Sequence, residues 1–195
     1  MITEGLSSSD NYGSSERSII ANIKKAAEKG VGLIQIREKL LPAGLLAELS
    51  KKAVEICRKS GTGVLVNDRL DVALAVGADG VQLTADSMRV SDVRAVCSDE
   101  LIIGVSTHSA KEVLEARDQN ADFALFGPVF DSPAKRRYGD PQGTGKLAEV
   151  CRYVTGFPVL AVGGINKTNM GSVIECGASG YAAIRLFNQN RSDDD

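Results

Sequence analysis

Short apolar runs of strand length recur along the chain at Leu33–Ile36, Val64–Val66, Val81–Leu83, Ile102–Val105, Phe123–Phe126, Val159–Val162 and Tyr181–Ile184. Between them apolar residues return every three or four positions. Ser18–Lys29 carries Ile19, Ile20, Ile23, Ala26 and Ala27, and Leu45–Arg58 carries Leu45, Leu46, Leu49, Ala53, Val54 and Ile56. Lys111–Gln119, Leu147–Val154 and Thr168–Cys176 repeat that spacing. The short runs predict strands buried on both faces, and the longer ones predict amphipathic helices. Their alternation predicts βα units and a parallel sheet.

One phrase recurs where a helix should end and a strand begin. It reads Gly77-Ala78-Asp79-Gly80-Val81, Asn120-Ala121-Asp122-Phe123-Ala124 and Gly177-Ala178-Ser179-Gly180-Tyr181, with a looser copy at Lys29-Gly30-Val31-Gly32-Leu33. Glycine and asparagine suit the left-handed residue that ends a helix. With Met1-Ile2-Thr3 as the stub of a first strand, the units number eight. The expected fold is therefore α/β: a (βα)8 TIM barrel, compact, with curtailed N- and C-terminal ends. It would fill residues 1–187 as a single domain, with 188–195 as a polar C-terminal tail. An open doubly wound sheet is the poorer expectation, because the chain has neither GxGxxG nor GxxxxGK[ST]. Ser7–Ser15 and Ser132–Gly145 are expected as loops at the strands' C-terminal ends.

Composition narrows the function classes. The 195 residues carry 23 basic and 25 acidic side chains, a net charge of −2, which gives no broad basic surface for nucleic acid or an anionic membrane. No apolar run reaches the length of a membrane span. Cys57, Cys97, Cys151 and Cys176 form no CxxC and lie far in sequence from the single His108. Reduced, packed thiols in a cytoplasmic protein are expected, without a zinc site.

In a TIM barrel, polar residues just past the strand ends face the active-site mouth. Alternation after Leu33–Ile36 puts Gln35, Arg37 and Lys39 on one side. Asn67 and Asp68 follow the next strand. Gln82, Thr84, Asp86 and Ser87, then Ser106, Thr107 and His108, then Ser132 and Lys135, then Gly163 and Gly164, and finally Arg185 complete the set. Three cations (Arg37, Lys39, Lys135) among hydroxyls, amides and a Gly-Gly turn suit phosphate oxygens. Asp68 amid these cations suits a divalent cation bridged to pyrophosphate. Each has a plainer reading. Arg37 and Lys39 are also explained as surface charges, Asn67-Asp68 and Ser106-Thr107-His108 as helix caps, Gly163-Gly164 as a tight turn, and Arg136-Arg137 as a solvated loop.

Together these motifs resemble the thiamin phosphate synthase/TenI superfamily. The resemblance rests on Gln35-Ile36-Arg37-Glu38-Lys39, Val66-Asn67-Asp68-Arg69, Gly77-Ala78-Asp79-Gly80-Val81-Gln82-Leu83, Gly104-Val105-Ser106-Thr107-His108-Ser109, Gly127-Pro128-Val129-Phe130 with Lys135, and Ala161-Val162-Gly163-Gly164-Ile165, in the family's order. It implies a transferase that couples hydroxymethylpyrimidine diphosphate to thiazole phosphate and releases pyrophosphate. That reaction asks mainly for leaving-group stabilisation and placement. By the resemblance, Arg37, Lys39, Asn67 and Lys135 hold the pyrophosphate with Ser132 helping, and Asp68 binds Mg²⁺. Gln35 and Ser106 line the pyrimidine side, while Gly164 and the backbone at Ile184 hold the thiazole phosphate. The implied partners are these small-molecule substrates, with no nucleic acid, no membrane, and a homo-oligomer left open.

Four positions depart from the synthase pattern. Gln82 stands where that pattern has His, and Ser87 where it has a second magnesium carboxylate, with Asp86 one position early. Ala134 replaces a threonine, and Arg185 a small polar residue. Arg185 is itself able to contact a phosphate. Gln82 and Ser87 look more like the TenI branch, a thiazole tautomerase, but that branch's catalytic His is here Pro128. A tautomerase and a non-catalytic binder of a thiamin-type phosphate are the alternatives.

Overall fold

The computed structural model describes residues 1–132 and 140–188. Seven strands alternate with seven helices in it: α1 (Tyr12–Glu28), β1 (Leu33–Ile36), α2 (Ala43–Cys57), β2 (Gly63–Asn67), α3 (Leu70–Val76), β3 (Gly80–Leu83), α4 (Val90–Val96), β4 (Ile102–Thr107), α5 (Ala110–Asp118), β5 (Phe123–Phe126), α6 (Gly143–Tyr153), β6 (Val159–Val162), α7 (Met170–Glu175) and β7 (Gly180–Ala182). The fold is α/β with parallel strands. The chain divides into two compact units, one of Met1–Gln82 with the segment from Ile184, the other of Leu83–Ala183.

In the first unit β1 pairs with β2, and β2 with β3, all parallel. Its core joins Ile34, Ile36, Val64 and Val66 of the strands to Ile23, Leu46, Leu49 and Ala53 of α1 and α2. These are the residues whose spacing marks strand and helix in the sequence, so burial follows the two periodicities directly. In the second unit β4, β5, β6 and β7 pair in chain order, again parallel. Phe126, Leu83, Ile103 and Leu147 are among its large fully buried side chains. The recurrent phrase does what its residues allow: Gly77, Asn120 and Gly177 all have positive φ, at 65°, 67° and 90°.

Several expectations change. Met1-Ile2-Thr3 forms an isolated parallel bridge, Ile2 to Gln35, short of a full eighth strand. Gly5, at φ 79°, turns the chain away before a ladder can extend. Ser7–Ser15 is only partly loop, because α1 starts at Tyr12. There the Asn11 carbonyl accepts the N–H groups of Ser14 and Ser15, and Tyr12 packs on the core. Gly13, Ser14 and Ser15 add no apolar residue to this turn, so periodicity cannot register it. Helices α3 and α4, seven residues each, were not expected either: α3 is apolar at every position but Asp71 and so shows no polar face, and α4 spans barely two turns. The last strand stops at Ala182 rather than Ile184, since the Ile184 carbonyl accepts the N–H groups of Phe187 and Asn188 in a turn. Asn188, assigned from sequence to the tail, is 5% exposed and donates from Nδ2 to the Ile2 carbonyl at 3.0 Å. Residues 189–195 lie outside the described residues. Helix α6 begins at Gly143, inside the segment expected as loop, and residues 133–139 lie outside the described residues.

Among the described residues no helix is long and apolar enough to cross a membrane. All four cysteines are free. Burial, with Asp79 adding to it, pushes the Cys57 thiol up to about 11. Cys151 is also raised, first by burial and then by Cys176.

Candidate active site

In the first unit, two of the polar residues expected at the strand ends meet. Gln35 in β1 and Asn67 at the end of β2 are both buried, and Gln35 Nε2 donates to Asn67 Oδ1 at 3.0 Å. Asn67 stands in register with Gln82 of β3, which is fully buried. Buried amides of this kind persist when their polar atoms find partners. The Asn67 amide thus bonds across strands, and the residue at the cap of α3 is Arg69, whose side chain makes no cap bond. Gln35 Oε1, by contrast, is buried with no hydrogen-bond partner among the described residues.

Asp68 follows at φ 66°, left-handed for a residue with a side chain. Aspartate tolerates this region better than most residues. The turn is held by the Asp68 N–H to the Gln82 carbonyl at 2.9 Å and the Arg69 N–H to the Asn67 carbonyl at 2.8 Å. The carboxylate is left exposed at the end of β2. Arg37 is half-buried and Lys39 exposed; the Arg37 N–H donates to Thr3 Oγ1 at 2.8 Å. Ile184 and Arg185 belong to this unit too. The Ile184 carbonyl accepts Asn188 Nδ2 at 2.6 Å, which leaves its N–H as the group of the right sign for a phosphate. Arg185 is exposed.

In the second unit, Ser106 is half-buried near the end of β4 and Ser132 is half-buried after β5. Lys135, Ala134 and Arg136-Arg137 lie outside the described residues. Gly163 and Gly164 have φ of 98° and 65°. A methyl group on Gly163 would come within 2.6 Å of Pro128 Cα, and one on Gly164 within 2.5 Å of the Asp131 carbonyl oxygen. Packing therefore demands these two glycines whatever the turn binds. Asn169 Nδ2 donates to the Gly164 carbonyl at 3.0 Å and braces the turn. The cap of α5 is Ser109, not Ser106, Thr107 or His108: its Oγ accepts the Glu112 N–H at 3.2 Å. His108 is exposed, and its Nδ1 hydrogen-bonds the Gly127 carbonyl, which leaves Nε2 as the acceptor of the neutral ring.

No three His, Cys, Asp or Glu side chains converge for a metal among the described residues. Mg²⁺ commonly needs only one or two carboxylates when phosphate oxygens supply the rest. The exposed Asp68 fits that lesser demand. Ser87 Oγ accepts the Thr84 N–H at 2.8 Å and so serves its own turn.

Against this geometry, the family model for thiamine monophosphate synthase matches residues 8–187. The chain belongs to this family. It is 38% identical over 175 residues to a thiamine-phosphate synthase of Roseiflexus, covering 90% of this chain and 74% of that one. It is 39% identical over 173 residues to a thiamine-phosphate synthase of Methanosarcina barkeri, covering 88% and 77%. A solved thiamine phosphate pyrophosphorylase from Pyrococcus furiosus superposes with a TM-score of 0.77 at 34% identity, over 85% of this chain and 78% of that one. The buried polar residues beside this site that the sequence reading missed are Glu38 and Thr3, both in the first unit. Glu38 was findable: it continues the alternation of Ile34 and Ile36 and so puts a carboxylate on an apolar face.

Proposed function

We propose that this protein couples hydroxymethylpyrimidine diphosphate to thiazole phosphate, forming thiamin phosphate and pyrophosphate. In that reaction the C–O bond to the diphosphate breaks with its electron pair leaving on pyrophosphate. The thiazole nitrogen then gives its lone pair to the new C–N bond. The observation that carries the reading is the Gln35 amide: Nε2 is committed to Asn67, and Oε1 is buried without a donor. An aminopyrimidine supplies such a donor. Beside it, Arg37, Lys39 and Asn67 offer cationic and amide donors to the departing diphosphate, where charge grows in the transition state. Lys135 and Ser132 join them in this reading, Ser106 and Gln82 line the pyrimidine, and Gly164, Ile184 and Arg185 take the thiazole phosphate. Asp68 together with diphosphate oxygens would hold Mg²⁺, which supplies charge neutralisation on the leaving group. The seven strands with the Met1-Ile2-Thr3 stub are read as one closed (βα)8 barrel.

Incubation with both precursors and Mg²⁺ tests this: thiamin phosphate and pyrophosphate are expected in equal amounts. Absence of both products overturns it. One observation favours a second reading, thiazole tautomerisation. The imidazole of His108 sits on the Gly127 carbonyl, next to Pro128. The tautomerase branch has its base at that position. Tautomer formation that is lost in His108→Ala would decide for it.

A further inference from the structure

We infer that Glu38 is a positioning residue for Arg37 and acts through the segment Gly5–Ser7. The inference rests on the diphosphate reading above. Glu38 is 2% exposed, and both of its oxygens are occupied. Oε1 accepts the Gly5 N–H at 3.0 Å, and Oε2 accepts the Ser7 N–H at 2.9 Å. A buried carboxylate is tolerated only when it is hydrogen-bonded, and charge-assisted bonds to backbone N–H groups are among the stronger ones. The segment is therefore pinned at two points with Leu6 between them, 58% exposed.

Gly5 is where the pin meets the site. It stands at φ 79°, and a methyl group there would lie 2.8 Å from Arg37 Nη1 and 2.9 Å from the Arg37 carbonyl oxygen. The backbone of Gly5 is thus a wall against which the guanidinium rests. The Thr3 hydroxyl, fully buried, accepts the Arg37 N–H and fixes the same residue from its backbone. An arginine carries much side-chain entropy, and holding it in one place before the anion arrives lowers what binding costs. Glu38 has no route to a phosphate itself. It is turned to the buried side of the strand end, and its charge would repel the anion. Its contribution is to the place of Arg37.

Glu38→Gln tests this with little change of volume. The amide puts its NH₂ against one of the two backbone N–H groups and so breaks one pin. Inorganic pyrophosphate should then bind roughly tenfold more weakly by calorimetry, the size of one lost charge-assisted bond. The KM for the pyrimidine diphosphate should rise in step, while the KM for thiazole phosphate moves by less than about twofold. Exchange of the Gly5 and Ser7 amides should speed up. Gly5→Ala should reproduce the pyrophosphate defect by pushing Arg37 aside. In an Arg37→Ala background, Glu38→Gln should cause no further loss of pyrophosphate affinity. Faster exchange at Gly5 and Ser7 with wild-type pyrophosphate binding would reduce Glu38 to a structural anchor and overturn the inference. So would an undiminished effect in the Arg37→Ala background. If the wild-type protein itself fails to bind pyrophosphate, the diphosphate reading falls and takes the inference with it, a result distinct from the other two.

Discussion

The ends of β1 and β2 and the turn after β6 are both places where a strand hands over to a loop, yet they are built in opposite ways. At the first, side chains do the work. Gln35 and Asn67 bond across strands, and Glu38 and Thr3 pin the neighbouring chain. At the second, the absence of side chains is what matters. Gly127, Gly163 and Gly164 let the 127–131 and 162–164 backbones approach more closely than any Cβ permits. The contrast separates two meanings of a motif. A polar motif at a strand end can change and leave the fold intact, whereas a glycine motif of this kind is first a requirement of packing and only then available for binding.

Substitution should expose that asymmetry. Gly127→Ala would bring a methyl group to 2.0 Å from the Val162 carbonyl oxygen. Backbone cannot yield as a side-chain tip can. The expected loss is about 3–4 kcal/mol of stability, read by denaturant unfolding. A loss below about 1 kcal/mol would break the packing account. Lys135→Ala should lower the coupling rate roughly 100-fold while affinity for thiazole phosphate holds within about twofold, as expected for a group that acts on the leaving diphosphate. An unchanged rate would remove Lys135 from the chemistry. Asn67→Leu leaves the Gln35 amide buried without its acceptor and should cost about 1–3 kcal/mol in stability. It should also weaken pyrophosphate binding, which Gly127→Ala does only by unfolding.

The smallest effect, a control outside both regions, is at Tyr12. Burial and the nearby Glu16 and Glu48 raise its phenol to about 12 from 10.0. The folded form therefore keeps its proton where the unfolded form loses it, and stability falls as pH rises from about 10 through about 12. Ultraviolet titration should show a late tyrosine that Tyr12→Phe removes. Ionisation near 10 would mean that α1 does not pack as described.

Much of this was legible before any coordinates. Seven strand runs and five of the seven helices register because burial in a βα unit repeats at two or at about three and a half residues, and that repeat is written in Ile34, Ile36, Val64, Val66, Ile23 and Leu49. The start of α1 was silent because Gly13, Ser14 and Ser15 add no apolar residue, and α3 because a run apolar at all but Asp71 shows no polar face; α4 spans barely two turns. The candidate site was legible as a set of residue types at strand ends. The pairing of Gln35 with Asn67 was not, nor the engagement of Ser87 with Thr84, because partners 32 positions apart or locked in a local turn leave no periodic trace.

The order of residues sufficed for the parallel α/β plan, because it follows from local spacing. Which amide bonds which, that Ile2 makes a bridge and not a strand, and that Glu38 holds Gly5 against Arg37 were settled only when distant segments packed. Hydrogen bonds and close approaches depend on positions in space, and a linear sequence carries those only through the fold.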